Sequence, residues 1–458
     1  MEYVQEPARR VPVYGEYDVA VLGGGPAGIL AAATAARQGA RVLLIERYGF
    51  LGGMGSAAGV SNFCGLHANV HGEIRQVVHG TTDELLDRMR RLDGLNDPHL
   101  IFGKIHAQAY DIAAFKCAAD ELVRDSGAHV LFHALAAGAA MDGQGAVQAL
   151  FLETKSGRVA VRAGRYIDCS GDADLANWAG IPYEKGTGHG QMLYPTLMFK
   201  VGNVDAERAG EAWKRIPELM DAAEAAGEFH FPRRGAIVRP QKHAYEWRVN
   251  VTQLTQADGS AADGTDAGSL AAAELEGRKQ VVDYLRFLRA KVPGFENAYV
   301  LDIAPQLGIR ETRRIRGEYC LTKDDVLNCA DFDDSIGVNG WPLELHVAGD
   351  VHWMWPPIPE SRGYNQLPLR MIMPCRESGV DNVLVAGRCA SMSHEGQSAA
   401  RVSGSCFVMG EAAGVLAAMS VERGAGMRSI PAAELQAVLR GNGVFLGQDP
   451  AAAGGRTD

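Results

Sequence analysis

The sequence of 458 residues lacks the cysteine pattern of a metalloprotein. Its eight cysteines are Cys64, Cys117, Cys169, Cys320, Cys329, Cys375, Cys389 and Cys406. No two of them form a C-x-x-C pair, so neither a structural zinc site nor an iron–sulfur cluster is predicted. We interpret them mostly as buried thiols, with Cys375 and Cys389 as a redox-active pair in the less favoured alternative.

The sequence also lacks an excess of positive charge and any long apolar segment. Its formal net charge of -10 gives no cationic surface for nucleic-acid phosphates, so nucleic-acid binding is disfavoured. No apolar run reaches the length of a membrane span. Residues 1–17 carry charges throughout and show neither the apolar stretch nor the cleavage site of a secretory signal. We therefore expect a cytoplasmic protein without a membrane span.

What is present is the composition of a large globular protein, with 47% hydrophobic and 22% charged residues, which we expect to fold as two lobes. The pattern predicts a strand at 17–22, an Ala-rich helix at 26–38 and a strand at 41–45. Further predicted elements are helices near 73–91 and 111–125, a hairpin over 146–161, a mobile loop at 257–268, a strand at 383–386 and a helix near 404–419.

A glycine-rich turn joins the first predicted strand to the first helix. Gly23, Gly25 and Gly28 give the G-x-G-x-x-G spacing, with Pro26 and Ala27 opening the helix. Gly23 allows the tight turn, Gly25 lets the backbone approach a pyrophosphate, and Gly28 lets helix and strand pack closely. The N–H groups and the positive dipole end of the helix favour an anion. A strand–helix turn without a ligand is the less favoured interpretation.

Glu46, at the end of the second predicted strand, has the spacing of the acid that accepts hydrogen bonds from an adenosine ribose. A carboxylate at this position repels a 2′-phosphate, so NADP is disfavoured. The turn and this acid together predict a dinucleotide site, and the choice between FAD and NAD requires further motifs.

The segment Leu51-Gly-Gly-Met-Gly-Ser56, after Glu46-Arg47-Tyr48, resembles a large bacterial family of FAD-dependent oxidoreductases related to the succinate dehydrogenase and fumarate reductase flavoproteins. The segments 165–172, 381–388 and 401–404 resemble the same family, as do 307–317, 321–325 and 367–370. The resemblance implies an FAD cofactor, with a late helix whose N-terminus faces the flavin. Beyond the turn and Glu46, the implied FAD contacts are Arg47, Gly52, Gly53, Met54, Ser56, Ala134, Ser170, Gly171, Asp172, Gly387, Arg388, Arg401, Ser403 and Gly404.

One departure from the family concerns covalent attachment of the flavin. The succinate-oxidising relatives attach FAD to a histidine, whereas residues 53–63 contain none, and His67 and His71 lie just beyond. We therefore expect non-covalent FAD. The same two histidines have the spacing of metal ligands on a helix, but a third ligand is lacking and no metal is predicted.

Together these features predict an α/β fold. It comprises a Rossmann-like FAD-binding domain, with a central parallel sheet plus a β-meander or hairpin, and a second, mixed α+β domain for the substrate. The predicted boundaries are 1–182 and 371–440 for the discontinuous FAD-binding domain, 183–370 for the substrate or cap domain, and 441–458 for a frayed tail.

The candidate catalytic residues are histidines and one arginine. His394 follows the late strand at the expected crevice and is the favoured base or substrate-orienting group; a structural histidine is the alternative. His346 and His352 flank a Trp-rich segment that either walls a substrate pocket, with Trp353, or fills a domain interface. Arg314 is the favoured carboxylate ligand of its cluster, most of which we interpret as structural. Weaker pocket candidates are Arg248, Tyr364 and Asn365.

These features favour an oxidase or dehydrogenase that takes a hydride from a small organic substrate, aromatic or apolar in one interpretation. The alternatives are reduction of an activated double bond and a non-enzymatic subunit with structural FAD. No second G-x-G-x-x-G follows another strand, so oxygen, a quinone or a partner protein is the expected electron acceptor. The sequence leaves open whether the protein forms a homo-oligomer.

Overall fold

The computed structural model describes residues 2–447, so residues 448–458 of the predicted tail lie outside the described residues. The first part of the chain forms β1 (Val13–Leu22), α1 (Pro26–Arg37), β2 (Val42–Ile45), α2 (Met54–Ala57), β3 (Asn62–Phe63), β4 (His67–Val70), β5 (Glu73–Gln76), α3 (Thr81–Arg91), β6 (His99–Ile101), β7 (Ile105–Ala109), α4 (Ile112–Asp125), β8 (His129–Leu131), β9 (Leu135–Met141), β10 (Val147–Thr154), β11 (Gly157–Asp168), α5 (Asp174–Trp178) and β12 (Tyr183–Lys185). The second part forms β13 (Phe199–Gly202), α6 (Ala206–Ala209), α7 (Ala212–Ala225), β14 (Ile237–Pro240), β15 (Trp247–Asn250), α8 (Ala267–Lys291), β16 (Tyr299–Ile303), β17 (Arg313–Ile315), α9 (Lys323–Leu327), β18 (Ser335–Asn339), β19 (Leu343–Val347), β20 (Asp350–Met354), β21 (Asn365–Pro368), β22 (Val383–Val385), α10 (His394–Ala400), α11 (Ser403–Glu422) and α12 (Ala432–Gly441).

A parallel sheet forms the centre of the first lobe, in the strand order β8–β2–β1–β11–β22. The beginning of β11 also pairs with antiparallel β10, which continues to β9 as a meander. All four residues of β2 are buried, as expected of a strand covered on both faces. The predicted α/β fold class is therefore confirmed.

The carboxyl ends of the parallel strands lie on one edge of this sheet. There β1 ends before the glycine-rich turn, β2 ends before Glu46, and β11 and β22 end before residues 169 and 386. In open α/β sheets, ligands bind in the crevice outside this edge. Segments that are distant in sequence therefore converge on one place.

Helix α11 passes through the core of the first lobe and packs against α1. A Cβ at Gly410 would overlap the Ala27 carbonyl, and one at Gly414 would overlap the Ala31 carbonyl, so glycine sets the close approach of the two helices. The sequence analysis found no run of membrane-spanning length. By length and composition α11 is such a run within residues 2–447, but 94% of its apolar window is buried inside the protein.

The second lobe has an antiparallel sheet, β14–β15–β13–β16, packed against α7 and α8. Its hydrophobic core extends from Leu197 to Ile309. In contrast, apolar residues between Leu321 and Met373 pack into the core of the first lobe. The cores therefore place the end of the second lobe near residue 309 rather than at the predicted boundary of 370.

Several predicted elements can be compared with the structure. The helix at 112–125 with its Asp111 cap, the hairpin of β10 and β11, and the late helix are present. The helix expected at 73–91 begins only at Thr81, because His71 and Gly72 have positive φ and turn the chain so that β5 pairs with β4. Leu446 is buried and its carbonyl accepts a hydrogen bond from Ser335, so residues 444–447 of the predicted tail are packed rather than frayed, whereas 441–443 are exposed.

The loop predicted to be mobile at 257–268 is tied to its surroundings by side chains. Asp263 accepts a hydrogen bond from the Lys185 ammonium at 2.7 Å, and Asp266 caps the first turn of α8. Low-complexity composition alone did not indicate these contacts, because Lys185 lies in the distant strand β12.

Replacing Gly414 with alanine should destabilise the protein, although alanine favours a helix over glycine by about 1 kcal/mol. The new methyl group would overlap Ala31 and Thr34, whereas a methyl at Gly441 in α12 would meet no atom within 4 Å. We expect Gly414→Ala to lower the free energy of unfolding by about 1–3 kcal/mol. Denaturant unfolding of the apoproteins measures this, with Gly441→Ala as the matched control; equal stabilities would contradict the α1–α11 contact.

Candidate functional site

A cavity opens along the carboxyl edge of the parallel sheet and extends to the second lobe. The empty space between its walls measures about 1920 Å³, including the part that opens to solvent. We call the part lined by the turns after β1, β2, β11 and β22 the sheet end. The part lined by residues of β6, β14, β15, β19 and β20 is the lobe end.

The glycine-rich turn lines the sheet end, and glycine is required at its positions for different physical reasons. A Cβ at Gly28 would overlap the Gly23 carbonyl, so the protein itself requires glycine there. A Cβ at Gly25 would come no closer than 3.7 Å to any protein atom, and its φ of -76° suits any residue. The open space at Gly25 and the uncapped first turn of α1 fit a diphosphate that approaches the backbone.

Glu46 lines the same end with its carboxylate held by the backbone. The Gly24 N–H donates to Oε2 at 2.7 Å and the Tyr48 N–H donates to Oε1 at 2.9 Å. Burial raises the pKa of this carboxyl, and the two backbone donors oppose that shift. The arrangement places an oriented hydrogen-bond acceptor beside the turn, as recognition of a ribose requires.

The beginning of α11 and the turn after β22 complete the sheet end. Arg401 and Ser403 line the cavity, and α11 has no side-chain cap, so its positive dipole end faces the space. Arg388 also lines the cavity and donates to the Asp172 carboxylate at 2.9 Å, which fixes the guanidinium on the wall.

A histidine and a glutamate on β19 form a hydrogen-bonded pair at the lobe end. His346 Nε2 lies 3.0 Å from Glu344 Oε1, and Glu344 Oε2 accepts a bond from the Trp341 indole at 2.9 Å. His346 is 3% exposed, and its Nδ1 has no hydrogen-bond partner among the described residues. Burial alone would raise the pKa of Glu344, but its bonds to His346 and Trp341 and the nearby Arg401 hold it at about 2.

The profile of a protein family described as FAD dependent oxidoreductase matches residues 18–439. The chain belongs to this family. FAD is therefore its cofactor, and the turn, Glu46 and the uncapped helix ends of the sheet end fit that group.

Solved structures similar to this FAD-dependent oxidoreductase include a geranylgeranyl bacteriochlorophyll reductase-like protein from Thermoplasma acidophilum (13% identity, TM-score 0.49, 94% of this chain and 84% of that chain). Another is p-nitrophenol 4-monooxygenase from Pseudomonas putida (13% identity, TM-score 0.46, 96% and 91%). These likenesses are too remote to bear on the reaction. No curated protein sequence matches the chain.

Most of the predicted FAD contacts of this oxidoreductase come together on the cavity wall. Those that line it are Gly23, Gly25, Pro26, Ala27, Glu46, Arg47, Gly53, Met54, Ala134, Ser170, Gly171, Gly387, Arg388, Arg401 and Ser403. Those that do not are Gly28, Gly52, Ser56, Asp172 and Gly404. Residues of the second group lie behind the lining, where they allow close packing of the backbone. A Cβ at Gly404, for example, would overlap the Gly65 carbonyl.

His394 and Arg314, predicted for catalysis, do not line the cavity. They meet instead at Glu311, which is 1% exposed. His394 Nδ1 lies 2.9 Å from Glu311 Oε2, and Arg314 forms a buried ion pair with the other oxygen. Since Arg314 also donates to two backbone carbonyls, its guanidinium is engaged in holding the fold. Sequence position after a sheet strand did not reveal Glu311.

Some of the residues predicted to contact the substrate line the cavity, and others do not. Arg248, Trp353 and His346 line the lobe end, whereas His352 is exposed on the other face of β20. Tyr364 and Asn365 do not line the cavity. Tyr364 packs on Phe445 in the segment beyond α12, and Asn365 bonds within the β18–β21 pair.

Sequence reasoning missed the partner of His346 and several other lobe-end residues. Glu344 precedes His346 by two positions, and residues two apart on a strand point to the same face, so the pair was detectable. Other lobe-end residues that sequence reasoning missed come from segments distant in sequence and include Cys64, His99, Arg239, Asn250 and Trp341.

The surroundings of the cysteines and of the candidate metal ligands can be compared with the predictions. Cys375 and Cys389 are free thiols, and burial raises the pKa of Cys389 well above its usual value, which disfavours a reactive thiolate. Within residues 2–447 no group of three potential metal-ligating side chains is found. Neither His67 nor His71 lines the cavity.

Replacing Gly25 with alanine should remove FAD without unfolding the protein, because its methyl group would enter the space for the diphosphate. Gly28→Ala should instead destabilise the apoprotein, since that methyl overlaps the Gly23 carbonyl. The flavin-to-protein ratio and the apoprotein Tm, measured for both variants, separate the two effects. A Gly25→Ala variant that is fully loaded with flavin would show that the diphosphate does not approach this turn.

Proposed function

We propose that this FAD-dependent oxidoreductase removes two electrons, as a hydride, from a small organic molecule and that His346 accepts the accompanying proton. The observation that carries this proposal is the His346–Glu344 pair on the wall of the same cavity that is built for FAD. A general base needs an available lone pair within reach of the reacting molecule. His346 Nδ1 is buried, lacks a partner and belongs to a cavity-lining side chain.

The geometry defines the protonation states needed for the reaction. Because Glu344 is ionised, it can only accept, so His346 Nε2 carries the hydrogen of their 3.0 Å bond and Nδ1 keeps its lone pair. Bound FAD supplies the two-electron acceptor. When the substrate C–H bond breaks, its electron pair leaves as hydride, and the substrate O–H or N–H proton moves to Nδ1. The product then contains a C=O or C=N bond.

The electrostatics favour oxidation over reduction of an activated double bond. Burial lowers the pKa of His346 well below 6.5, and Arg310 lowers it further. A neutral imidazole is ready to accept a proton, whereas reduction of a double bond requires a group that donates one. The alternative of a structural FAD is disfavoured because the cavity continues from the sheet end to His346 and Arg248, whose side chains each have a buried polar atom without a partner among the described residues.

Other parts of the proposal depend on the sequence alone. The relation to the succinate dehydrogenase and fumarate reductase flavoproteins rests on the motif resemblance. Reoxidation by oxygen, a quinone or a partner protein is proposed because no second G-x-G-x-x-G follows another strand, and a cytoplasmic location because no secretory signal is recognised. Non-covalent FAD is proposed because the family's attachment histidine is lacking from residues 53–63. Acid precipitation that releases all the flavin into the supernatant would support that part.

Replacing His346 with asparagine should slow flavin reduction by substrate on the order of a hundredfold or more, the scale of general-base loss. A substrate is first identified by anaerobic bleaching of the flavin with a panel of alcohols and amines, and stopped-flow absorbance then gives the rate. His394→Asn is the comparison, since it tests the base expected from sequence position. A larger loss at position 394 than at 346 would contradict the proposed base, and a flavin that no compound bleaches would favour structural FAD.

The pH dependence should reflect the lowered pKa of His346. A base must be unprotonated, so the rate falls as the pH drops through its pKa, and a lowered pKa moves that fall to acidic pH. We expect the rate of flavin reduction to be flat from about pH 8 down through the ordinary histidine value of 6.5 and to fall only below it. A midpoint at 6.5 itself would indicate a solvated histidine as the base.

A further inference from the structure

Five arginines lie in and around the lobe end without a carboxylate partner. Arg239 and Arg248 belong to the lobe end, and Arg310 also lines the cavity. Arg401 lines the sheet end, and Arg233 lies near Arg310 outside the cavity lining. Within residues 2–447, none of their guanidinium groups lies within 4.0 Å of an acidic side chain. A buried charge without a counter-charge is costly, so such a cluster needs an explanation.

Two of the five arginines are held by the fold. Arg233 donates to the carbonyl of Gly235 and to Asn250. Arg310 donates to the Tyr194 carbonyl at 2.7 Å and to the Thr196 hydroxyl at 2.6 Å. These bonds fix the two guanidiniums in place but leave their positive charges without compensation.

The other three arginines line the cavity with unused donors. Arg248 donates one bond to the Val60 carbonyl and Arg401 donates one to the Glu344 carbonyl, while the Nε–H of each has no partner in the part of the chain that the structure describes. Arg239 donates only to the neighbouring Val238 carbonyl. Burial lowers the pKa of Arg239 to about 10, and the nearby positive charge of Arg248 contributes to the shift.

The acid available at the lobe end is already in use. Glu344 accepts hydrogen bonds from both His346 and Trp341, and its single charge faces a larger number of cations. A bound anion would supply the negative charge that the protein side chains at this end do not.

Apolar rings lie next to these cations. Trp353 and Trp341 have ring centroids 6.0 Å apart, and Phe102 meets Trp353 edge-on at 5.1 Å. Together with Ile101, these side chains form an apolar wall of the same cavity. A molecule that satisfies both walls has an anionic group at one end and a flat apolar group at the other.

We propose that the lobe end binds an organic carboxylate with an aromatic or apolar body, whose carboxylate is held by the guanidinium of Arg248. This deepens the proposed function, on which it rests, by naming the class of substrate. A planar guanidinium with a free edge matches the two oxygens of a carboxylate in a bidentate pair. Arg239 and Arg401 supply neighbouring positive charge, and His346 lies on the same wall to accept the proton.

The test measures the affinity of ligands for the oxidised holoenzyme, and the change in flavin absorbance reports their binding. Three ligands are compared. Phenylacetate carries a carboxylate, phenylacetamide has the same shape without the charge, and phenyl phosphate carries a tetrahedral anion. We expect phenylacetate to bind at least about tenfold more tightly than phenylacetamide, the scale of charge-assisted hydrogen bonds. Arg248→Gln should abolish this preference while leaving the affinity for phenylacetamide and the flavin content unchanged.

Arg234→Gln is the matched control, because Arg234 is exposed beside Arg233 and its guanidinium reaches only Glu224, outside the cavity. Arg248→Lys should restore part of the preference, since it keeps the charge but loses the planar fork. The comparison of ligands on the unaltered protein needs no variant, so it stands even if Arg248→Gln does not fold.

Three outcomes would overturn the proposal: equal affinity for phenylacetate and phenylacetamide, tighter binding of phenyl phosphate than of phenylacetate, or no spectral response to either phenylacetate or phenylacetamide. The assay involves no turnover and is repeated in His346→Asn. If the His346→Asn variant keeps its preference for phenylacetate, the anion site is supported. If the same variant also shows an unaltered rate of flavin reduction in the stopped-flow measurement, His346 is not the base.

Discussion

The whole arrangement depends on how closely the backbone of the first glycine-rich turn can approach its neighbours. Gly28 brings α1 against the turn, and Gly410 and Gly414 bring α11 against α1. These contacts are backbone to backbone, so they leave no room for adjustment by side-chain rotation. They hold the beginnings of two helices at one edge of the sheet, where the positive dipole ends and the free N–H groups face the same cavity.

The cavity has two ends with different physical character. At the sheet end, recognition relies on backbone amides, helix ends and a carboxylate fixed by main-chain N–H groups. At the lobe end, it relies on side chains presented by strands of both lobes, with buried cations, apolar rings and a neutral imidazole. A fold can conserve the first kind of recognition while the second changes with a few substitutions, which is how one cofactor serves many substrates.

The sequence predicted the sheet end well because its determinants are local. The spacing of Gly23, Gly25 and Gly28 between an apolar strand and an Ala-rich helix specifies a turn without knowledge of the rest of the chain. The base was harder to predict. His394 follows a sheet strand, as the crevice rule requires, but the buried Glu311 binds it from a segment about eighty residues away in sequence. His346 reaches the cavity through the β19–β20 pair, whose position depends on contacts between lobes.

Helix α11 has consequences for how the chain acquires its structure during synthesis. It is buried along most of its length and completes the core of the first lobe, yet it follows α1 by more than 350 residues in the sequence. During synthesis α1 therefore emerges long before the helix that fills the groove beside it. Until then the nascent chain exposes an extended apolar surface of the kind that chaperones bind and that aggregates when left uncovered.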